Sequence, residues 1–438
     1  MKCIVSNRLW LPVDAKCTKA VMDECTHKIE LSKYEASLAS QRGGLPFRII
    51  KTYSRPTKDL LSFPVGKLTS MSDDLEIVDK RVKHEMPDFP EFTATLRPSQ
   101  QEALDFSAEN GSIIIRARPG WGKTFTACAI AAKHKRKTLV IVHTIALLNQ
   151  WVTEVKKVLN TTPGVIGDSN YTIGEFITIG LIKSLHKNKM ALQKEFGLLI
   201  FDEVHHLPAD TFIQFIDSNY ASIKIGMSGT LERTDKTHVI IYDYISAKYF
   251  IAPDENVMTP KVHIVRVPIN FDAFEGAYAA KVSRLNEDPV YVRILANLCL
   301  AYATKSHKVL CVMDRVASSR YLAELIGSRA ICYTHRTDSN IKANAFKRMQ
   351  DDADILVGSK QIFSEGISEK YLSALVLGCS VKGPPLEQLI GRIERLCEGK
   401  QTPIIVDIRL EGKTMSNAGS ERDDYYDRKG YHIETFQI

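Results

Sequence analysis

From about residue 111 the sequence alternates short apolar, β-branched runs with longer stretches of helical period, and this alternation limits the possible folds more than any other feature. Such a pattern is the mark of a parallel sheet inside an α/β domain. It predicts strands at SIIIRA (112–117), TLVIVH (138–143), FITIGL (176–181), LLIFD (198–202) and SIKIGMS (222–228). A second series follows: KVHIVRV (261–267), KVLCVM (308–313), AICYTH (330–335), DILVG (354–358), ALVLG (374–378) and PIIVDI (403–408). Two successive sets predict two α/β domains, since 438 residues exceed what one hydrophobic core can organise. Pro253 and Pro260 in YFIAPDENVMTP (249–260) interrupt regular structure and mark the joint, and the cleft between two such domains is the natural ligand site.

The first 90 or so residues break the alternation. Strand candidates KCIVSN and PFRIIKTY are mixed with polar, Pro- and Gly-rich stretches such as QRGGLP, which predicts a small separate α+β domain. The expected division is 1–90, 91–255 and 256–438. The polar tail EGKTMSNAGSERDDYYDRKGY is expected to form a short helix against the last domain.

Composition removes several classes. No apolar run reaches the 18 or so residues of a membrane span, and the N-terminus has no sustained apolar segment with a cleavage site, so a soluble, non-secreted, cytoplasmic protein is expected. Nine cysteines without a C-x-x-C argue against a disulfide framework or zinc module. The net charge of +7 permits a polyanionic partner without demanding one.

Residues 117–124, ARPGWGKT, lie between a predicted strand and a helix-forming run, where a loop exposes backbone N–H groups at a positive helix terminus. The pattern G-x-x-x-x-G-K-[ST] is met at Gly122, Lys123 and Thr124, with Ala117 replacing its first glycine. Pro119, Gly120, Trp121 and Gly122 would cradle phosphates, Lys123 would hold the β/γ-phosphates, and Thr124 would ligate Mg²⁺.

In LLIFDEVHHLP (198–208) the strand ends in Asp202, where a P-loop fold presents its second Mg²⁺ carboxylate, here through water. Glu203 would polarise the attacking water as general base, and His205 would couple the nucleotide site to neighbouring motifs. A direct transition-metal site is the rival reading of the two carboxylates and two histidines, but the helical H-E-x-x-H motif is absent.

With these motifs in place, residues 95–410 resemble the superfamily II helicases and translocases, in the DExH branch that includes XPB-type and phage UvsW-type proteins. LRPSQ (96–100) is similar to the element whose arginine and glutamine, here Arg97 and Gln100, serve the nucleotide, the glutamine by reading adenine. VHTIALLNQW (142–151) and FITIGLIKSL (176–185) resemble the segments that line the nucleic-acid strand. GMSGTLERTD (226–235) resembles motif III, with Ser228 and Thr230 as coupling residues. ILVGSKQIFSEGIS (355–368) resembles motif V, with Gly366 at the nucleotide, and EQLIGRIER (387–395) resembles motif VI, with Gln388, Arg392 and Arg395. The two arginines would reach the γ-phosphate on domain closure. Gly229, Ser368 and Ala117 depart from the usual residues of their motifs.

The resemblance implies two tandem RecA-like parallel-sheet domains behind a small N-terminal α+β domain, and an ATP- and Mg²⁺-dependent DNA helicase or translocase, possible as a monomer. Branched DNA in replication, recombination or repair is the expected substrate, and a bacterial cytoplasm the expected place if the chain is phage-encoded. The dispersed basic residues of the N-terminal segment (Arg8, Lys16, Lys19, Arg42, Arg48, Lys51, Arg55, Lys58) would choose it. An RNA helicase, a duplex translocase without strand separation and a P-loop phosphotransferase are the alternatives.

Overall fold

The computed structural model describes residues 2–31, 33–71, 75–231, 235–255, 257–333, 347–349, 351–360 and 369–438. The chain forms two compact units, Met1–Pro253 and Asp254–Ile438.

The first unit begins with β1 (Lys2–Val5), β2 (Leu9–Pro12), β3 (Thr26–Glu30), β4 (Phe47–Lys51), β5 (Leu60–Phe63) and β6 (Glu76–Asp79). They form a four-stranded sheet in the order β5-β2-β1-β6 and a separate antiparallel β3-β4 ribbon. Cys3, Val5, Leu9, Leu11, Leu61 and Phe63 alternate inward as a small core of their own.

This N-terminal module is fastened to the rest of the unit by buried charge. Arg8 donates to Asp217 Oδ1 (2.6 Å), Ser62 Oγ (3.1 Å) and the Thr52 carbonyl (2.5 Å). Asp243 accepts from Thr52 Oγ1 (2.6 Å), and His27 Nε2 (2.7 Å) and Lys67 Nζ (3.1 Å) lie against it. Gly66 lets the backbones meet: a Cβ there would lie 2.3 Å from the Asp243 carbonyl oxygen. Arg8 therefore cannot serve as a DNA contact as the sequence suggested, because it is buried and committed to Asp217.

The eight-stranded sheet consists of β7 (Ile113–Arg116), β8 (Thr138–Val142), β9 (Gly164–Gly167), β10 (Asn170–Thr172), β11 (Ile177–Leu181), β12 (Leu198–Asp202), β13 (Ile223–Ser228) and β14 (Tyr249–Ile251). Its order is β10-β9-β11-β8-β12-β13-β7-β14, parallel throughout except for the β9-β10 hairpin. The predicted strands all appear within a residue or two of their expected limits. Ile113 and Ile115 enter the core on one side of the sheet and Ile114 on the other, which is why the run is continuously apolar. Burying each such side chain contributes about 1.5–3 kcal/mol.

The second unit holds β15 (Lys261–Asn270), β16 (Val309–Met313), β17 (Ala330–Tyr333), β18 (Ile355–Ser359), β19 (Ala374–Gly378), β20 (Ile404–Glu411) and β21 (His432–Gln437). All are parallel, in the order β17-β18-β16-β19-β20-β15-β21. The tail forms the expected helix, Lys413–Lys429, and then adds β21 to the sheet edge. That helix is fixed by buried Asp407, which accepts from Arg422 Nε (2.9 Å) and the Tyr426 hydroxyl (3.1 Å). Among the described residues no helix is long and apolar enough to cross a membrane. The nine cysteines are free thiols.

Candidate nucleotide site

Strand order explains how distant motifs meet. β8, β12, β13 and β7 are adjacent and parallel, so their carboxyl ends bring His143, Asp202–Glu203, Ser228 and the 117–124 loop to one edge of the sheet. In open α/β sheets ligands bind at that edge.

The loop leads into the helix Lys123–His134 through Gly120 and Gly122, with φ of +89° and +97°. A Cβ on Gly122 would lie 2.5 Å from Gln100 Nε2, so both conformation and space require glycine there. Ala117 needs no such freedom: its φ is not positive, and its methyl group joins the core.

The LRPSQ segment clamps this loop. Arg97 precedes the helix Pro98–Asn110, and its N–H is accepted by Gln100 Oε1 (2.9 Å). Gln100 Nε2 donates to the Trp121 carbonyl (2.8 Å), Arg97 Nη2 donates to the same oxygen, and the Trp121 indole donates to Ser99 Oγ (3.1 Å). Gln100 is buried, with both ends of its amide engaged within the chain.

Lys123 Nζ donates to the Ala117 carbonyl (3.1 Å) and lies 3.7 Å from Glu203 Oε1. Glu203 sits at φ +51°, a left-handed conformation that costs a non-glycine residue roughly 1–2 kcal/mol. Such strain clusters at functional sites. Its Oε2 is 3.3 Å from both His205 Nδ1 and Ser228 Oγ, and those two atoms are 2.8 Å apart. Ser228 Oγ also donates to the Thr230 carbonyl, closing a chain from the carboxylate into motif III. A Cβ on Gly229 would lie 3.4 Å from Pro119 Cδ, so the alanine usual in this motif would fit.

Asp202 ends β12 almost completely buried. Its Oδ1 accepts the Glu203 N–H (3.0 Å) and its Oδ2 accepts the Trp151 indole N–H (2.8 Å). Burial and then the Glu203 charge push the Asp202 carboxyl up, against the Trp151 hydrogen bond and the Lys123 ammonium. Burial opposes ionisation of Glu203 too, but Lys123, followed by the His205 hydrogen bond, outweighs it and holds that carboxyl below its usual range. The pair thus has one carboxylate firmly charged beside one that resists charge.

Sequence reading missed two parts of this edge. Trp151 ends the VHTIALLNQW segment, where only strand-lining residues were expected, yet its indole points at Asp202. His143 packs against His206 with ring centroids 4.2 Å apart and the planes tilted by 44°, and His206 packs against His205 at 4.3 Å and 38°. The available signal was an aromatic residue with a polar handle on an otherwise apolar helix face. Among the described residues no group of three or more His, Cys, Asp or Glu side chains is placed to hold a metal ion.

Motif VI lies in the second unit on the helix Pro384–Ile393. Arg392 is buried in its last turn rather than on a solvated face, and Gln388 is half-buried. Arg395 lies past the helix end in a bridge to Val257. Burial pulls the Arg395 guanidinium below its usual range against the pull of Glu369, and Lys400 Nζ donates to the Arg395 carbonyl (2.7 Å). Gly366, together with Phe363 and Ser368 of motif V, is outside the described residues.

Fold and site together define a P-loop ATPase built on tandem RecA-like domains. Residues 93–233 match the family described as ResIII, the res subunit of type III restriction enzymes. The protein named probable helicase D10 of Escherichia phage T5 is 32% identical over 441 residues, covering 99% of this chain and 96% of its own. The DNA 3'-5' translocase XPB2 of Sulfurisphaera tokodaii is 35% identical over 143 residues, 33% of this chain and 32% of that protein. The structure of S. cerevisiae Dbp5 bound to RNA and ADP BeF3 covers 78% of this chain and 89% of its own with a TM-score of 0.55, a likeness of fold at 14% identity. The chain belongs to the superfamily II helicases and is an ATP-hydrolysing enzyme of that family.

Proposed function

We propose that the chain is a DNA helicase or translocase that uses ATP hydrolysis to remodel branched DNA in replication, recombination or repair. The observation that carries the motor reading is the meeting of Lys123, Asp202, Glu203, His205 and Ser228 at one sheet edge beside a glycine loop. In this reading Lys123 and the loop's N–H groups bind the phosphates, and Glu203, charged and within reach of Lys123, accepts the proton of the attacking water. Arg97 and Gln100 keep the loop in shape through the Trp121 carbonyl. Arg392 and Arg395 supply positive charge to the phosphates during hydrolysis, assisted by Gln388, while Ser228 and Thr230 relay the state of Glu203 onward.

The donor set suits Mg²⁺. The Thr124 hydroxyl and the Asp202 carboxylate are hard oxygen ligands, and each Asp202 oxygen spends only one lone pair on its N–H donor. Bound there, partly through water, the ion would neutralise phosphate charge.

DNA as the substrate is supported by the XPB2 relative, whose name gives it as a DNA translocase. Branch selection is assigned to the β3-β4 ribbon. On one face its alternation places Lys28 and Lys51 with Phe47 and an exposed Ile49, Lys28 lying 4.1 Å over the Phe47 ring and Lys51 5.8 Å over Tyr53. Cations beside apolar and aromatic groups suit a phosphate backbone with unstacked bases at a junction. The test measures ATP hydrolysis with single-stranded, linear duplex, forked and four-way DNA and with RNA, for the wild type and a Lys28→Glu, Lys51→Glu variant. The proposal expects highest stimulation by forked or four-way DNA, with that preference reduced in the variant and the linear-duplex rate retained. Stronger stimulation by RNA would overturn the substrate, and an unchanged fork preference would overturn the ribbon's role.

A further inference from the structure

We infer that Trp151 is a positioning residue for the Mg²⁺ carboxylate, an inference that rests on the proposed role of Asp202. The indole is fully buried on the helix Ile145–Leu159, which starts just beyond β8, and its N–H reaches across to Asp202 Oδ2 at the end of the adjacent β12. A carboxylate at a strand end can rotate about its last bond. Here the rotation is blocked from both sides, because Oδ1 is fixed by the Glu203 N–H and Oδ2 by the indole.

The two donors differ in kind. The Glu203 amide belongs to the neighbouring residue and moves with it, whereas the indole comes from a helix 51 residues earlier in the chain and is set by the packing of that helix. Trp151 is the largest fully buried side chain in the protein among the described residues, so the ring cannot swing away without opening the core. A phenylalanine would keep an aromatic ring in the core but leave Oδ2 without its donor. Trp151 thereby holds the Asp202 carboxylate in one orientation for Mg²⁺.

The test compares wild type with Trp151→Phe, Asp202→Ala and the double variant, reading the affinity of a fluorescent ADP analogue across a Mg²⁺ titration. Trp151→Phe is expected to leave Mg²⁺-free affinity unchanged and to raise the Mg²⁺ concentration for half-maximal tightening by about 5–10-fold. The double variant is expected to match Asp202→Ala alone, since the indole acts through that carboxylate. If Trp151→Phe fails to fold, 3-benzothienylalanine at position 151 keeps the ring's shape and removes only the N–H. Unchanged Mg²⁺ dependence in a folded Trp151 variant, with Asp202→Ala impaired, would overturn this inference and leave the metal reading intact. An Asp202→Ala protein with normal Mg²⁺ dependence would overturn both.

Discussion

Lys123 and Glu203 lie 3.7 Å apart, yet their substitutions should separate cleanly. Lys123→Ala removes a fixed positive charge at the phosphates and should weaken ATP binding by roughly 10–100-fold, the worth of a charge-assisted hydrogen bond. Glu203→Gln keeps size and polarity but not basicity, so ATP binding should persist while kcat falls by about 10²–10⁴. Equilibrium nucleotide binding and single-turnover hydrolysis distinguish the two, and equal loss of binding in both would contradict the assignments. At this scale the sequence located residues that meet at the sheet edge wherever their placement is tied to a local pattern, as with Gly122, Lys123 and Asp202, whose roles remain proposals. The grip of Arg97 and Gln100 on Trp121 and the reach of Trp151 to Asp202 were not legible, because each joins residues more than 20 positions apart through packing that no local pattern encodes.

Elements were readable in proportion to their burial. The β7, β8, β12 and β13 strands are largely buried on both faces and could be placed from the sequence; β10 and β14 have only three residues each, and β21 is largely polar, so none of them carries a periodic pattern long enough to detect. The segment KHKRK (133–137), whose basic character could suggest a phosphate contact, is used within the fold: His134 Nε2 lies 2.8 Å from Ser107 Oγ, and Lys137 pairs with Glu195. The bend from strand into phosphate loop depends on Gly122. Gly122→Ala should cost about 1–3 kcal/mol of local strain and disturb the Gln100 clamp, seen as weaker nucleotide binding with a lowered Tm. A variant with wild-type affinity and Tm would mean that the loop tolerates the methyl group. Past the helix Pro384–Ile393, Arg395→Ala should leave nucleotide binding nearly intact and lower DNA-stimulated kcat by at least about 10², as expected of a charge used mainly in the transition state. Normal turnover would move that role to Arg392.

Across the whole molecule, the N-terminal module is joined to the first α/β sheet through a buried polar seam, and the seam holds a testable liability. Lys224 lies on β13 beneath that junction, almost entirely buried, and burial pushes its ammonium down to about 7 against the pull of Asp217, with Arg81 and Arg8 adding to the fall. Unfolded, the same group titrates near its ordinary value of about 10.4. Between these limits the unfolded chain holds the extra proton, so stability should rise with pH from about 7 toward 10, and below 7 the full cost of charging a buried amine is present. Lys224→Met removes that cost while filling similar space. Asp217 keeps Arg8 at 2.6 Å, so the substitution does not strand a buried carboxylate. The variant should therefore melt several degrees higher than wild type at pH 6.5, with the gain shrinking toward zero near pH 10. Thermal unfolding of both proteins across that range decides it: a gain that does not depend on pH would point to better packing alone, and a loss at pH 6.5 would show that the charged amine helps hold the module in place.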